Sequence, residues 1–424
     1  MSADAHAHAG LHGEKFRTAP LSVSTGVRAF FGLMILIGAV TFSLEVSSDP
    51  TRAYAAWLHN YWVFLLLGLG GTFFSAIHYL VGATWSVTVR RIADAFSSFV
   101  PLAAILFVLV AAGIPAWNWI GSMVGFAPVP DAIHNLYIWS KAAAIQGVGT
   151  EAIAKGGYLS PAFFLFRNLF FLALWSFFSW FFVRNSTKQD ETRDPALTRR
   201  NFKISAIFLV TFALTFTLAT FDIIMSLEPT WYSTIFGVYN WAGLWQGALA
   251  GIAIVTVVLR RQGAFQGVIT RAHYHDLGKF VFAFGVFWTY IAFSQFMLIW
   301  YANLPEEIVW MIHRIYTGWG AVIIAVVMLK FVIPFFVLMP QRWKENETVL
   351  ITVCAGVILG QWLDVYWMIY PAFSPEHAVL SWNEIGVALG FFGLFGWRVQ
   401  SFLSRHPVAP HGDPDYVASV RFHG

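Results

Sequence analysis

Long apolar stretches separated by short polar ones dominate the chain. A membrane helix needs about 20 apolar residues, and about ten runs reach that length. They cover residues 26–46, 57–84, 98–119, 159–183, 203–227, 233–259, 274–303, 308–339, 348–373 and 381–404. The pattern predicts an all-α integral membrane protein of about ten transmembrane helices. Several runs exceed the minimum, as tilted or extended helices do. Residues 1–25 and 405–424 then form polar tails on a transmembrane domain, 26–404.

Two of the helices echo each other. The fifth run ends in "FDIIMSLEP" and the ninth in "LDVYWMIYP", so Asp222 precedes Pro229 by the spacing at which Asp364 precedes Pro371. The runs before them carry "FFLFRN" and "WMIHRI", which put Arg167 at the depth of Asp222 and Arg314 at that of Asp364. The implied architecture is two related four-helix bundles, spans 2–5 (57–227) and 6–9 (233–373), flanked by spans 1 and 10. Repeated halves with polar centres are common in transporters and energy-coupling proteins.

Composition supports the membrane assignment. The chain is 58% hydrophobic and 11% charged, against about 25% charged residues in soluble proteins, so it cannot present a water-compatible surface. Its net charge of +4 then points to no nucleic acid partner; only the placement of the basic residues matters. Arg28, Arg90, Arg91, Arg184, Lys203, Arg260, Arg271, Arg342 and Arg398 fall on one side, while little more than Arg52, Lys141 and Lys155 falls on the other. The positive-inside rule puts both termini in the cytoplasm. Asp222 and Asp364 then lie in the outer half of the membrane, and the long segment 120–158, with His134, Tyr137 and Trp139, is an outer loop. Such a loop packs on a partner, caps a cavity or lies on the lipid surface.

A carboxylate in hydrocarbon costs several kcal/mol unless it is paired, hydrated or protonated. Thr211, Thr215, Asp222 and Ser226 fall within about 60° of one helix face, a stripe that suits a water path or a partner helix. Asp222 is therefore either a proton-carrying group balanced by Arg167 or half of a structural ion pair. Gln361 adds polarity one turn before Asp364. On the cytoplasmic side, His78 near Asp94, with His275 and Asp276 opening the seventh span, would form a proton entry. The plainer readings are a hydrogen-bonded histidine and interfacial polar residues. Lys330 sits deep in the eighth span, where its stem would snorkel to water or join the inner path. Glu45, Glu306, Glu307, Glu376 and His377 sit at outer edges and need no special explanation. The spacings "GVILG" (356–360) and "GVALG" (386–390) allow close helix contact.

Several chemistries are excluded or disfavoured. One cysteine, Cys354, rules out an intramolecular disulfide, a Cys-ligated iron–sulfur cluster and a CxxCH haem attachment. No P-loop is present, and no histidine pair at matching depth suits haem b. His6, His8 and His12 read as part of a solvated tail rather than a metal site. The N-terminal segment lacks the short apolar core of a cleaved signal peptide.

The segments "TFDIIMSLEPTWYSTIFGVY" and "YHDLGKFVFAFGVFWTYIAFSQFMLIWYANLPEE", within ten spans in this order, carry a family resemblance. The chain resembles the second, shorter NrfD/polysulfide-reductase-like membrane subunit of bacterial alternative complex III, over roughly residues 26–404. The resemblance implies two four-helix bundles with two peripheral helices. It also implies a respiratory or photosynthetic quinol:cytochrome c oxidoreductase in a bacterial inner membrane. The implied partners are a sister NrfD-like membrane subunit, an iron–sulfur protein, and multihaem and monohaem cytochrome c subunits, which carry the haems and clusters. No cofactor bound covalently is expected here. Kinship extends a quinone site, for menaquinone or ubiquinone, to this chain, although the better attested site lies in the sister subunit. A proton pathway through Asp222, His78 and Asp364 is the role its own residues suggest. The alternatives are a secondary transporter and a structural scaffold.

Overall fold

A computed structural model of the chain describes residues 16, 18–112, 136–140 and 157–422. His6, His8 and His12, Lys141 and Lys155, the end of the third run (113–119) and most of the loop 120–158, His134 included, lie outside the described residues. Among those described, ten helices are long and apolar enough to cross a membrane: α1 (Thr25–Ser48), α2 (Pro50–Leu80), α3 (Thr84–Ala112), α4 (Pro161–Thr192), α5 (Pro195–Leu227), α6 (Phe236–Arg261), α7 (Arg271–Ala302), α8 (Gly320–Leu338), α9 (Glu347–Ala372) and α10 (Trp382–Leu403). The chain is an all-helical, multi-pass membrane protein.

Local chemistry sets the helix ends. Proline stands at the first turn of α2, α4 and α5, where its missing N–H would have had no helical partner. Asp49, Asp194 and Asn346 accept backbone N–H groups at the starts of α2, α5 and α9. Arg193 and Asn303 take left-handed conformations that stop α4 and α7.

The helices α2 and α6 are the most deeply buried, and they pack on each other. Around α2 lie α3, α4 and α5; around α6 lie α7 and α9, with α8 on α7 and α9. The most extensive packing joins α1 to α10. There the glycines of the "GVALG" stretch let backbones meet: a Cβ on Gly390 would lie 2.7 Å from the Gly38 Cα, and one on Gly386 would strike the Thr41 side chain. The first and last described stretches meet on one face, here the terminal face, where Pro20 bridges Pro407 and the Tyr416 hydroxyl donates to the Phe16 carbonyl at 2.7 Å.

Two expectations need correction. The third span begins at Thr84 rather than at 98, because its first turns hold Arg90, Arg91 and Asp94 and so look like a loop. These charges are buried. Arg90 pairs with Asp413 of the folded C-terminal segment (3.3 Å) and Arg91 with Asp190 of α4 (2.5 Å), so neither is a loop charge in water. The eighth run is not one helix. A short helix, Pro305–Ile315, ends before α8 starts at Gly320. Gly318 N–H donates to the Glu376 carbonyl (3.1 Å) and the Trp319 indole to the Ser374 carbonyl (2.8 Å), so the segment after α9 captures a backbone N–H that would have continued the helix and anchors the next side chain.

Within α8, residues Met328–Val332 form a π-helical turn. Pro334 has no N–H to give the Lys330 carbonyl four residues earlier; Gln246 of α6 supplies that hydrogen bond instead, at 2.7 Å.

The α1–α10 contact generates a prediction. Gly390→Leu should force the two helices apart and destabilise the protein by about 1–3 kcal/mol. Thermal unfolding in detergent should show a lowered midpoint; an unchanged midpoint would contradict the close crossing.

Candidate functional site: buried charge pairs

In the half of the molecule away from the terminal face, Arg167 near the start of α4 meets Asp222 at the end of α5. Arg167 Nε donates to Asp222 Oδ2 (2.8 Å) and Nη2 to Oδ1 (2.7 Å), while Asn168 Nδ2 adds a donor at 3.2 Å. The remaining Arg167 nitrogen donates to the Tyr158 carbonyl (3.0 Å), and the guanidinium lies over the Tyr158 ring at 3.8 Å. Asp222 is fully buried. Tyr137 and Trp139 of the long loop seal the helix end, donating to the Ile223 carbonyl (2.9 Å) and the Ser226 hydroxyl (3.2 Å). The stripe on α5 is occupied by packing contacts: Thr215 accepts the Trp175 indole N–H (2.9 Å) and donates to the Thr211 carbonyl (2.8 Å). Arginine holds a carboxylate bidentately and keeps its charge, so this pair is rigid.

The second pair differs from expectation. Asp364 meets Lys330, not Arg314. Lys330 Nζ donates to Asp364 Oδ2 (2.7 Å) and Gln361 Oε1 (2.6 Å), and the Tyr239 hydroxyl donates to Asp364 Oδ1. The ammonium lies 4.1 Å from the centroid of the Trp288 ring. Four helices, α6 to α9, converge on this point. Glycines make room: a Cβ on Gly360 would come within 2.8 Å of Lys330, and one on Gly243 within 2.7 Å of Gln361. Lys330 is 0% exposed and does not snorkel. Its stem points across the bundle because Asp364, Gln361 and the indole face offer better partners than distant water.

Arg314 lies in the short helix before the break. It donates to Glu228 (2.5 Å) and the Met368 carbonyl (3.0 Å) and lies over Trp310 at 3.9 Å. The unforeseen break in the eighth span placed Arg314 one element away from Asp364. The echo between halves therefore pairs arginine with Asp222 and lysine with Asp364.

Nearer the terminal face, Asp94 accepts from Ser75 (3.0 Å) and Ser186 (2.8 Å), with Arg91 at 3.9 Å. His78 is not its partner. Its Nδ1 meets the Phe74 carbonyl of its own helix at 2.8 Å, and its ring packs among Phe74, Trp85 and Phe280. Ser75, one turn earlier on α2, takes the aspartate instead. Asp276 pairs with Lys279 at the start of α7, beside half-buried His275, an interfacial arrangement. Glu45, expected at an outer edge with no special role, is buried. Of the partners that sequence reasoning missed, Tyr239, Trp288 and Ser186 have no local signal linking them to the acids, whereas Asn168 directly follows Arg167 in "FFLFRN".

A groove of about 630 Å³ opens between α1, α2, α6, α9 and α10, lined by Phe31, Val63, Trp362 and Phe395, with Ser22, Gln262 and Gln400 toward the terminal face. It suits a long apolar tail and has no titratable side chain in its lining. Its volume lies in the range of small-molecule sites.

The Lys330–Asp364 pair should behave as a coupled unit. Lys330→Met leaves Asp364 buried without a cation and should cost about 3–5 kcal/mol of stability. Adding Asp364→Asn should recover most of the loss. Denaturant unfolding of the single and double variants tests this; additive losses would contradict direct coupling. The chain matches no protein-family model and no curated protein.

Proposed function

We propose that this chain is a membrane subunit of an alternative-complex-III-type quinol:electron-acceptor oxidoreductase in a bacterial inner membrane, with both termini cytoplasmic. Its own share is proton movement, and its haem- and cluster-bearing partners carry the electrons. The observation that supports this best is the Lys330–Asp364 pair at the meeting point of α6 to α9. A lysine is a point charge on a flexible stem that gives up its proton far more readily than arginine when buried. A proton arriving on Asp364 releases Lys330 to Gln361, and its departure draws Lys330 back. The π-turn around Lys330 is a helix irregularity of the kind frequently found at functional sites. In this reading Arg167–Asp222 is a fixed brace, and the groove near Trp362 takes a quinone tail.

The break between Ile315 and Gly320 favours the transporter reading, because transporters build sites from interrupted helices. The counterpart helix α4 runs unbroken from Pro161 to Thr192, so the interruption lacks the matched partner an inverted-repeat transporter has. The redox-complex reading therefore stands ahead.

Purification from native membranes through a tag on this chain tests the assignment. The preparation should carry c-type haem absorbance, an iron–sulfur subunit and quinol oxidation activity, while the chain expressed alone should carry no haem spectrum. A chain that purifies alone from its native membrane would contradict it.

A further inference from the structure

Away from the terminal face, α1, the start of α2 and the start of α10 bring two glutamates to one arginine. Arg52 Nε donates to Glu384 Oε1 (2.7 Å) and Nη2 to Oε2 (3.0 Å). Glu384 is also the acid of the α10 capping box, accepting from the Ser381 N–H (2.7 Å) and hydroxyl (3.0 Å), with the Tyr370 hydroxyl at 3.5 Å. Its carboxylate is saturated with donors. Glu45 on α1 has no such set. Arg52 Nε stands 3.5 Å from Glu45 Oε1, and neither Glu45 oxygen has a hydrogen-bond partner although both are buried.

One guanidinium compensates one carboxylate. A second ionised carboxylate here, 2% exposed and facing only the 3.5 Å approach of an arginine already held by Glu384, would bear most of its desolvation penalty. The other polar groups facing it do not change the balance. Asp49, at the junction of α1 and α2, is exposed and caps α2 through the Arg52 N–H (3.1 Å); it adds negative charge. Asn383 on α10 faces Glu45 with a side-chain amide, a neutral donor that cannot compensate a second buried charge. His59, farther along α2, donates Nε2–H to the Trp362 carbonyl (2.9 Å) while its buried Nδ1 has no partner, so the ring is neutral. Tyr370 is a neutral phenol.

We infer that Glu45 is a proton-binding site: its carboxyl holds a proton at neutral pH because Arg52 is committed to Glu384. Arg52 also makes the two acids exclusive. When Glu384 is neutralised, the guanidinium turns to Glu45, which then releases its proton. The site lies on α1 and α10, apart from the pairs described above, and rests on three side chains rather than on the redox-complex reading.

Infrared spectroscopy of the purified full chain, with and without carboxyl-¹³C glutamate, reads this directly. At pH 7 the wild type should show a protonated-carboxyl C=O band that shifts on labelling. The band should be lost in Glu45→Gln. It should also be lost in Glu384→Gln, in which Glu45 is intact but Arg52 is free to pair with it. A folded wild-type protein without a label-sensitive band would overturn the proposal, and that result needs no variant to fold. A band undiminished in Glu45→Gln would assign the proton elsewhere, and one undiminished in Glu384→Gln would overturn the exclusivity set by Arg52.

Discussion

A carboxylate taken out of water must be met by a cation and by hydrogen-bond donors, or it costs several kcal/mol. That constraint organises this molecule. Asp222 is met by Arg167 and Asn168, Asp364 by Lys330 and Tyr239, Asp190 by Arg91, and Glu384 by Arg52 and the first turn of α10. Each match ties together helices that apolar packing alone would leave free to slide, since lipid is as apolar as leucine. The charges are few, and nearly all of those inside the membrane fix a helix-to-helix register.

The two halves solve the problem with different cations. Arg167 holds Asp222 in a bidentate, fully donated arrangement that leaves no group free to move. Lys330 reaches Asp364 from a π-turn whose carbonyl is satisfied by Gln246. Its ammonium has two acceptors at similar distance, Asp364 and Gln361. Rigidity on one side and a choice of acceptors on the other is the asymmetry expected of a brace and a switch.

Much of this was legible in the residues. The apolar runs located the ten spans, and the depth of Arg167 matched that of Asp222. The "GVALG" spacing marks α10 as a helix open to close contact, without naming α1 as the partner. Three features were not legible, each for a physical reason. The start of α3 looked like a loop because hydropathy treats Arg90 and Arg91 as water-facing, whereas Asp413 and Asp190 neutralise them inside. The break before α8 depends on acceptor carbonyls from residues 374–376, which no local pattern near Gly318 announces. Because that break is invisible in the sequence, Arg314 is matched to Asp364 there; of the two readings of Lys330, its burial rules out the stem that snorkels to water. Glu45 was passed over for a related reason: an acid near a helix end looks ordinary until another helix, here α10, covers it.

The central claim is that a movable lysine, rather than a fixed positive charge, serves Asp364. Lys330→Arg tests it, because arginine preserves the charge and the pairing but holds the carboxylate in a planar, two-pronged grip in place of a flexible point charge. In the complex proposed for this chain, proton release per quinol oxidised should be measured with this substitution in place, beside thermal stability. The account predicts an assembled, stable complex whose proton yield falls below that of the wild type. An unchanged proton yield in Lys330→Arg would contradict it.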